Sequence, residues 1–200
     1  MFARLPGHWV CRGLLALVSV LVLLGLGIGA YLSHIRAEAT ALISSAREIR
    51  TKADAEREIS DWRKRSGKDF WEESDSLGGE HNYYAQIANV AIARLRLAQP
   101  TAIMLNISIR DGKLRAVTVI ESTGWYPIAS VWIKEWFDEV MPNRFFVSGH
   151  RRPAEASVEF PASLPDDQRT KAFKVNTNCL VLPFGCRTAD DILPGVLQLK

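Results

Sequence analysis

Two cysteines seven residues apart, Cys179 and Cys186, are the most reactive neighbours in this chain of 200 residues. They bracket Leu-Val-Leu-Pro-Phe-Gly, where Pro183 and Gly185 let the backbone reverse so that the sulfurs can meet. A structural disulfide is expected if this part lies outside the cytoplasm, where closing so short a loop stabilises by roughly 2 to 3 kcal/mol. Two buried free thiols or a redox pair are the alternatives, although the Cys-x-x-Cys spacing of a thioredoxin-type motif is absent.

Other chemistry is sparse. Of four histidines, His8 and His34 flank an apolar run, leaving His81 and His150 with too few companions for a three- or four-ligand zinc site. Ser148 and His150 cannot form a nucleophile–base pair if they share a strand. Glu72, Glu73, Asp75 and Glu80 surround Gly78-Gly79 but lack the alternating order of a calcium loop. There is no phosphate-binding glycine loop, no Gly-x-Ser-x-Gly and no His-Glu-x-x-His. No cofactor or metal is expected.

Two surfaces could recognise a ligand. Gly149-His150-Arg151-Arg152-Pro153, with Arg144, is a compact basic cluster able to meet an anion. Trp125, Tyr126, Trp132, Trp136 and Phe137 are concentrated within thirteen residues, serving core packing first and a partner or ligand pocket second. The candidate surface is therefore Trp132, Trp136, Arg144, His150, Arg151 and Arg152. Asn106-Ile107-Ser108 matches a glycosylation sequon but falls inside a predicted strand.

What must position these residues begins at the membrane. Gly13–Leu32 holds eight Leu, three Val and one Ile without a charge, and its length of roughly 30 Å matches a bilayer core. An uncleaved single-pass anchor is expected, since the apolar run is too long for a signal peptide. Charge counting is ambiguous: Arg4 and Arg12 precede the run, while Arg36, Arg47, Arg50 and Lys52 follow it. Because long domains translocate largely regardless of charge, the expected layout is a cytoplasmic tail (1–12), a membrane helix (13–32), a stalk and helix (33–66), and an extracytoplasmic domain (67–200). Gly25 and Gly29 form a Gly-x-x-x-Gly pair that could bring two membrane helices together. The formal charge is only +3, which argues against nucleic acid as a partner.

Ile35, Leu42, Ala46 and Ile49 recur with helical spacing, which predicts a helical stalk. Thr51 and Asp54 mark a fresh helix start, followed by Ile59 and Trp62 inward, a basic end at Arg63–Arg65, and Gly67 as stop. Lys68–Glu80 reads as a loop. Thr101–Arg110 and Lys113–Ser122 joined by Asp111-Gly112 form the strongest local signal, a type I′ hairpin. Strict alternation pairs Ile109 with Leu114, Ile107 with Ala116, Leu105 with Thr118 and Ile103 with Ile120 on one face. On the other it pairs Ser108 with Arg115, Asn106 with Val117 and Met104 with Val119. His81–Ala85, Ala129–Phe137, Arg144–Ser148 and Ala156–Pro161 are further strand candidates, and Ile87–Leu97 is ambiguous between helix and strand. The fold class is α+β: an antiparallel meander of four to six strands packed by helices. One of these is a C-terminal helix that starts at Leu164-Pro165-Asp166-Asp167 and presents Ala172, Phe173, Asn176, Cys179 and Leu180 on one face.

The tail AFKVNTNCLVLPFGCRTADDILPGV, through Asn176, Cys179, Leu180, Gly185, Cys186, Leu193 and Pro194, resembles that of a group of uncharacterised bacterial single-pass membrane proteins with a small extracytoplasmic domain. The resemblance implies a location on the outer side of the bacterial inner membrane and a Cys179–Cys186 disulfide. It implies no activity. The expected function is a membrane-tethered module, more an interaction protein than an enzyme, that binds a protein partner or envelope component or pairs as a homodimer. The alternative is an envelope enzyme or small-ligand receptor with an aromatic pocket near Trp132 and Trp136.

Overall fold

The computed structural model describes residues 7–66, 69–75, 79–124, 128–138, 141–149 and 154–199, with the side chains of 7–10, 66, 75 and 197 excepted. Gly67, Trp125, Tyr126, His150, Arg151 and Arg152 lie outside the described residues. The chain divides into two units, Met1–His34 and Ile35–Lys200.

The first unit consists of the apolar part of helix α1 (Gly7–Glu48), which is long and apolar enough to cross a membrane. Its leucines and valines from Leu14 to Leu26 are exposed, as lipid-facing side chains are.

In the second unit the remainder of α1 is a core helix and not a free stalk. Ile35, Ala39, Leu42, Ile43, Ala46 and Ile49 are all buried, the i, i+4, i+7 pattern of a helix laid along an apolar surface. Helix α2 (Lys52–Ser66) starts at the expected cap: the Asp54 N–H donates to Thr51 Oγ1 at 3.2 Å, and the Thr51 N–H donates to Asp54 Oδ2 at 3.0 Å. The Thr51 hydroxyl, which also donates to Asp54, is the main reason that this carboxyl titrates below its usual range. Ile59 and Trp62 face inward.

Strands β1 (Phe70–Asp75), β2 (Glu80–Ala88), β3 (Thr101–Arg110), β4 (Lys113–Thr123), β5 (Ala129–Trp136), β6 (Phe146–Gly149) and β7 (Glu155–Pro161) form one sheet of order β1-β2-β3-β4-β5-β7-β6. Three expectations change here. The sheet has seven strands among the described residues, not four to six. The segment read as a loop supplies β1, because Trp71 stacks on Tyr84 with ring centroids 5.1 Å apart and Glu72 pairs with Arg63; a neighbouring strand, not local propensity, makes Glu-Glu-Ser-Asp extended. The sheet is also mixed, since β5 and β7 are parallel: the chain turns back through β6 on the outside edge, and the two connections together supply the length that a parallel crossover needs.

The β3–β4 hairpin turns at Asp111-Gly112, both at positive φ, as expected. Arg110 pairs with Lys113 and Ile109 with Leu114, but Ser108 then pairs with Ala116, so Arg115 is an extra residue in a β-bulge. Every later pair shifts by one: Ile107 faces Val117, Leu105 faces Val119 and Ile103 faces Glu121, while Met104 faces Ile120 on the other side. The shift gives the core two valines in place of Ala116 and Thr118. It also sends Glu121 inward and Ile120 outward.

The ambiguous segment after Ile87 resolves into the end of β2 and a single helical turn, α3 (Val90–Arg94). The expected long C-terminal helix is broken. Helix α4 (Asp166–Ala172) ends early, and a separate 3-10 turn, Thr177–Leu180, carries Cys179. Asn176 causes the break: its N–H donates to the Ile192 carbonyl at 2.7 Å and its side-chain amide to the Asp191 carbonyl at 3.0 Å, tying it to helix α5 (Ala189–Ile192). Helix α5 has its own capping box between Thr188 and Asp191.

Candidate binding face and buried polar groups

Alternation along the strands gives the sheet two different faces. Ile103, Leu105, Val119, Val131, Ile133 and Val158 line the buried one. The opposite face leaves most of its residues partly exposed, and around β5 it forms a concavity of about 550 Å³. Two successive rungs build it. One runs Met104, Ile120, Trp132, Ser157 across β3, β4, β5 and β7; the next runs Ser122, Ser130, Glu155. Trp132 is 50% exposed, so its indole presents a free aromatic surface beside a thioether, an aliphatic chain, three hydroxyls and one carboxylate. Such a surface can stack on a flat apolar group and hydrogen-bond its edge. Ile120 is there only because the bulge turned it outward.

Trp136, four residues along β5, has a different place. It is only 9% exposed, its Nε1–H donates to Glu159 Oε2 at 2.9 Å, and Lys134 Nζ lies 3.5 Å from its ring centroid. Arg115 also lies over this ring and ion-pairs with Glu80, whose carboxyl accepts from Ser108 Oγ at 2.7 Å. The Ser108 hydrogen bond, with Arg115 and Arg110 beside it, holds Glu80 below the usual carboxylate range despite partial burial. Ser108 of the sequon is thus engaged inside the sheet.

Arg144 is exposed near a separate concavity with Phe146 and Val147, its guanidinium 5.1 Å from the Phe146 ring. His150, Arg151 and Arg152, its expected companions, lie outside the described residues. His81 Nδ1 lies 3.7 Å from Glu72, which also takes Arg63. Among the described residues no group of three or more His, Cys, Asp or Glu is placed to hold a metal. Cys179 and Cys186 are bonded, with Cα atoms 5.1 Å apart, as the disulfide reading expects, which suits an oxidising compartment. Around Gly25 and Gly29 there is open space for a Cβ, with no atom of the described residues within 4 Å of it.

Two buried polar groups were not foreseen. Arg169, 1% exposed, pairs through Nε and Nη2 with the fully buried Glu135 and donates to the carbonyls of Arg47 and Ile49 at the end of α1. One side chain thereby locks α1, β5 and α4 together. Burial raises the Glu135 carboxyl from its usual range, and Arg169 opposes that shift. The only signal in the sequence was Glu135 falling on the apolar phase of β5, set by Val131 and Ile133. Glu121 is the second such group, treated below.

Comparison of the chain with family models, with curated proteins and with solved structures finds no match.

Proposed function

We propose that the chain is a membrane-tethered extracytoplasmic binding module, N-terminus inside, whose recognition surface is the open face of the sheet. Trp132 is the anchor, stacking on a flat apolar part of an envelope component while Ser130, Ser157 and Glu155 hydrogen-bond its edge. The observation that carries this reading is the half-exposed indole over a concavity of about 550 Å³, within the size range of ligand sites. The apolar helix and the disulfide support the tether and the compartment.

A photo-crosslinking amino acid at position 132 of the full chain in intact membranes tests it. A specific adduct is expected from position 132 and none from Ser60 on the exposed side of α2. Equal labelling at both positions, or none at either, would refute the assignment. A small-ligand receptor is the second reading, favoured by the same volume, and it predicts a low-mass adduct.

A further inference from the structure

We propose that one end of the second unit is an interfacial docking surface for anionic phospholipid headgroups, formed by the turn after α3 and the disulfide loop. The inference rests on the tether reading and is independent of the Trp132 face.

The two segments are far apart in sequence and joined in space. The Gln99 N–H donates to the Pro183 carbonyl at 3.0 Å, and Asn89 Nδ2 donates to the carbonyls of Gln99 and Leu180 at 2.8 and 2.9 Å. Asn89 is itself buried, so this junction is a built part of the fold. On its outside, Leu95, Leu97, Leu182 and Phe184 stand between 43% and 68% exposed, against the usual practice of hiding such side chains. They are four of the seven large apolar side chains left exposed in the second unit among the described residues, and Val90 at the start of α3 is a fifth. Clustering of this kind marks a surface that meets something apolar.

Charge selects the occupant. Arg94 and Arg96 alternate with Leu95 and Leu97, and no acid occurs from Asn89 to Pro100. Neither arginine has an ion pair among the described residues, and both are exposed. Arg187 lies beside Phe184, 5.5 Å from its ring centroid. Asp190 and Asp191 next to it keep their charge, Asp190 Oδ1 accepting from the Gly195 N–H at 2.7 Å and Asp191 Oδ2 from the N–H groups of Arg187 and Thr188, so the cationic side of the patch is that of Arg94 and Arg96. Arg96 also holds φ at +57°, a conformation unfavourable for a side chain of its kind, in the middle of the turn. Exposed leucines interleaved with Arg94 and Arg96, joined to an exposed phenylalanine, suit a layer of acidic headgroups over apolar chains, where apolar insertion and attraction to anionic lipid add. Such a layer is at hand, because only Ser33 and His34 separate Leu32, the last residue of the apolar run, from Ile35, the first core residue.

The test uses the full chain carrying Cys11→Ser and either Leu97→Cys or Leu95→Cys, labelled with an environment-sensitive fluorophore and reconstituted in vesicles. Blue-shifted emission and quenching by nitroxide lipids are expected at both positions in phosphatidylcholine with phosphatidylglycerol. Much less is expected in phosphatidylcholine alone, and none at a Ser60→Cys control. Arg94→Gln with Arg96→Gln, or added salt, should cut the quenching by about half or more. If the chain stays inserted but positions 95 and 97 behave like position 60 in both lipids, the patch proposal is overturned while the tether stands. If alkaline carbonate extracts the chain from the vesicles, the tether itself is wrong. A protein crosslink at position 97, with no lipid quenching, assigns the patch to a protein and also overturns the proposal.

Discussion

Glu121 stands directly opposite Ile103 across the β3–β4 ladder, in the place that simple alternation assigns to Ile120. It is 1% exposed, and neither carboxylate oxygen has a hydrogen-bond partner among the described residues. The bulge at Arg115 is the cause. One extra residue near the turn buries Val117 and Val119, and five and six residues further on it exports Ile120 to the open face and imports Glu121.

Burial alone pushes the Glu121 carboxyl well above the ordinary Glu value of about 4.5. Its neutral form is therefore the one that the folded state keeps. Stability should be unaffected by this group at low pH and should fall as pH rises above about 4.5, by up to ~1.4 kcal/mol per pH unit until the folded group ionises. Glu121→Gln should flatten that slope, and Glu121→Leu should do the same while raising stability at neutral pH. Urea unfolding of the full chain in detergent across this pH range checks both; identical pH profiles for wild type and Glu121→Gln would contradict the burial argument.

The Arg169 ion pair should prove costly to break from one side. Arg169→Ala leaves Glu135 buried and uncompensated and strips the Arg47 and Ile49 carbonyls of a donor, so a loss of about 3 to 5 kcal/mol is expected. Adding Glu135→Leu should recover roughly half of it, the part due to the orphaned charge. Thermal unfolding of the two variants beside wild type measures the difference.

Gly185 lies in the disulfide loop at φ +60°, where an added Cβ would come within 2.3 Å of Thr123 Cγ2. Gly185→Ala should destabilise by about 2 to 3 kcal/mol through overpacking and left-handed strain. Thr123→Ser removes the offending methyl, so the double variant should regain everything but the ~1 kcal/mol of backbone strain. A double-mutant cycle with no coupling would mean that the loop moves away from β4.

The two tryptophans of β5 should separate cleanly. Trp136→Ala removes a buried ring and should cost about 3 to 5 kcal/mol, whereas the half-exposed Trp132→Ala should change stability by less than about 1 kcal/mol. Circular dichroism melts report the contrast, and a large loss at Trp132 would make it a structural residue instead of a recognition one.

Opening the disulfide with Cys179→Ser and Cys186→Ser should cost about 2 kcal/mol, the loop being short. A reductant should lower the melting temperature of wild type but not of the double variant.

Features governed by neighbours in the chain were legible in the residues alone. The apolar run from Gly13, the Thr51–Asp54 cap and the Asp111-Gly112 turn each act through contacts a few residues long, and the Cys179–Cys186 bond spans only seven. Period-two alternation likewise placed Val131 and Ile133 inward and Trp132 outward. Tertiary structure decided what depends on partners distant in sequence. Strand β1 exists because Tyr84 lies beside Trp71, β7 runs parallel to β5 because β6 takes the edge, and Glu135 is buried because Arg169 arrives from α4. The bulge belongs with these: alternation can run through Arg115 in either phase, and only the space to be filled beneath the sheet selects Val117 and Val119 over Ala116 and Thr118. That choice put Ile120 next to Trp132, so the composition of the open face was set by the packing of the opposite side.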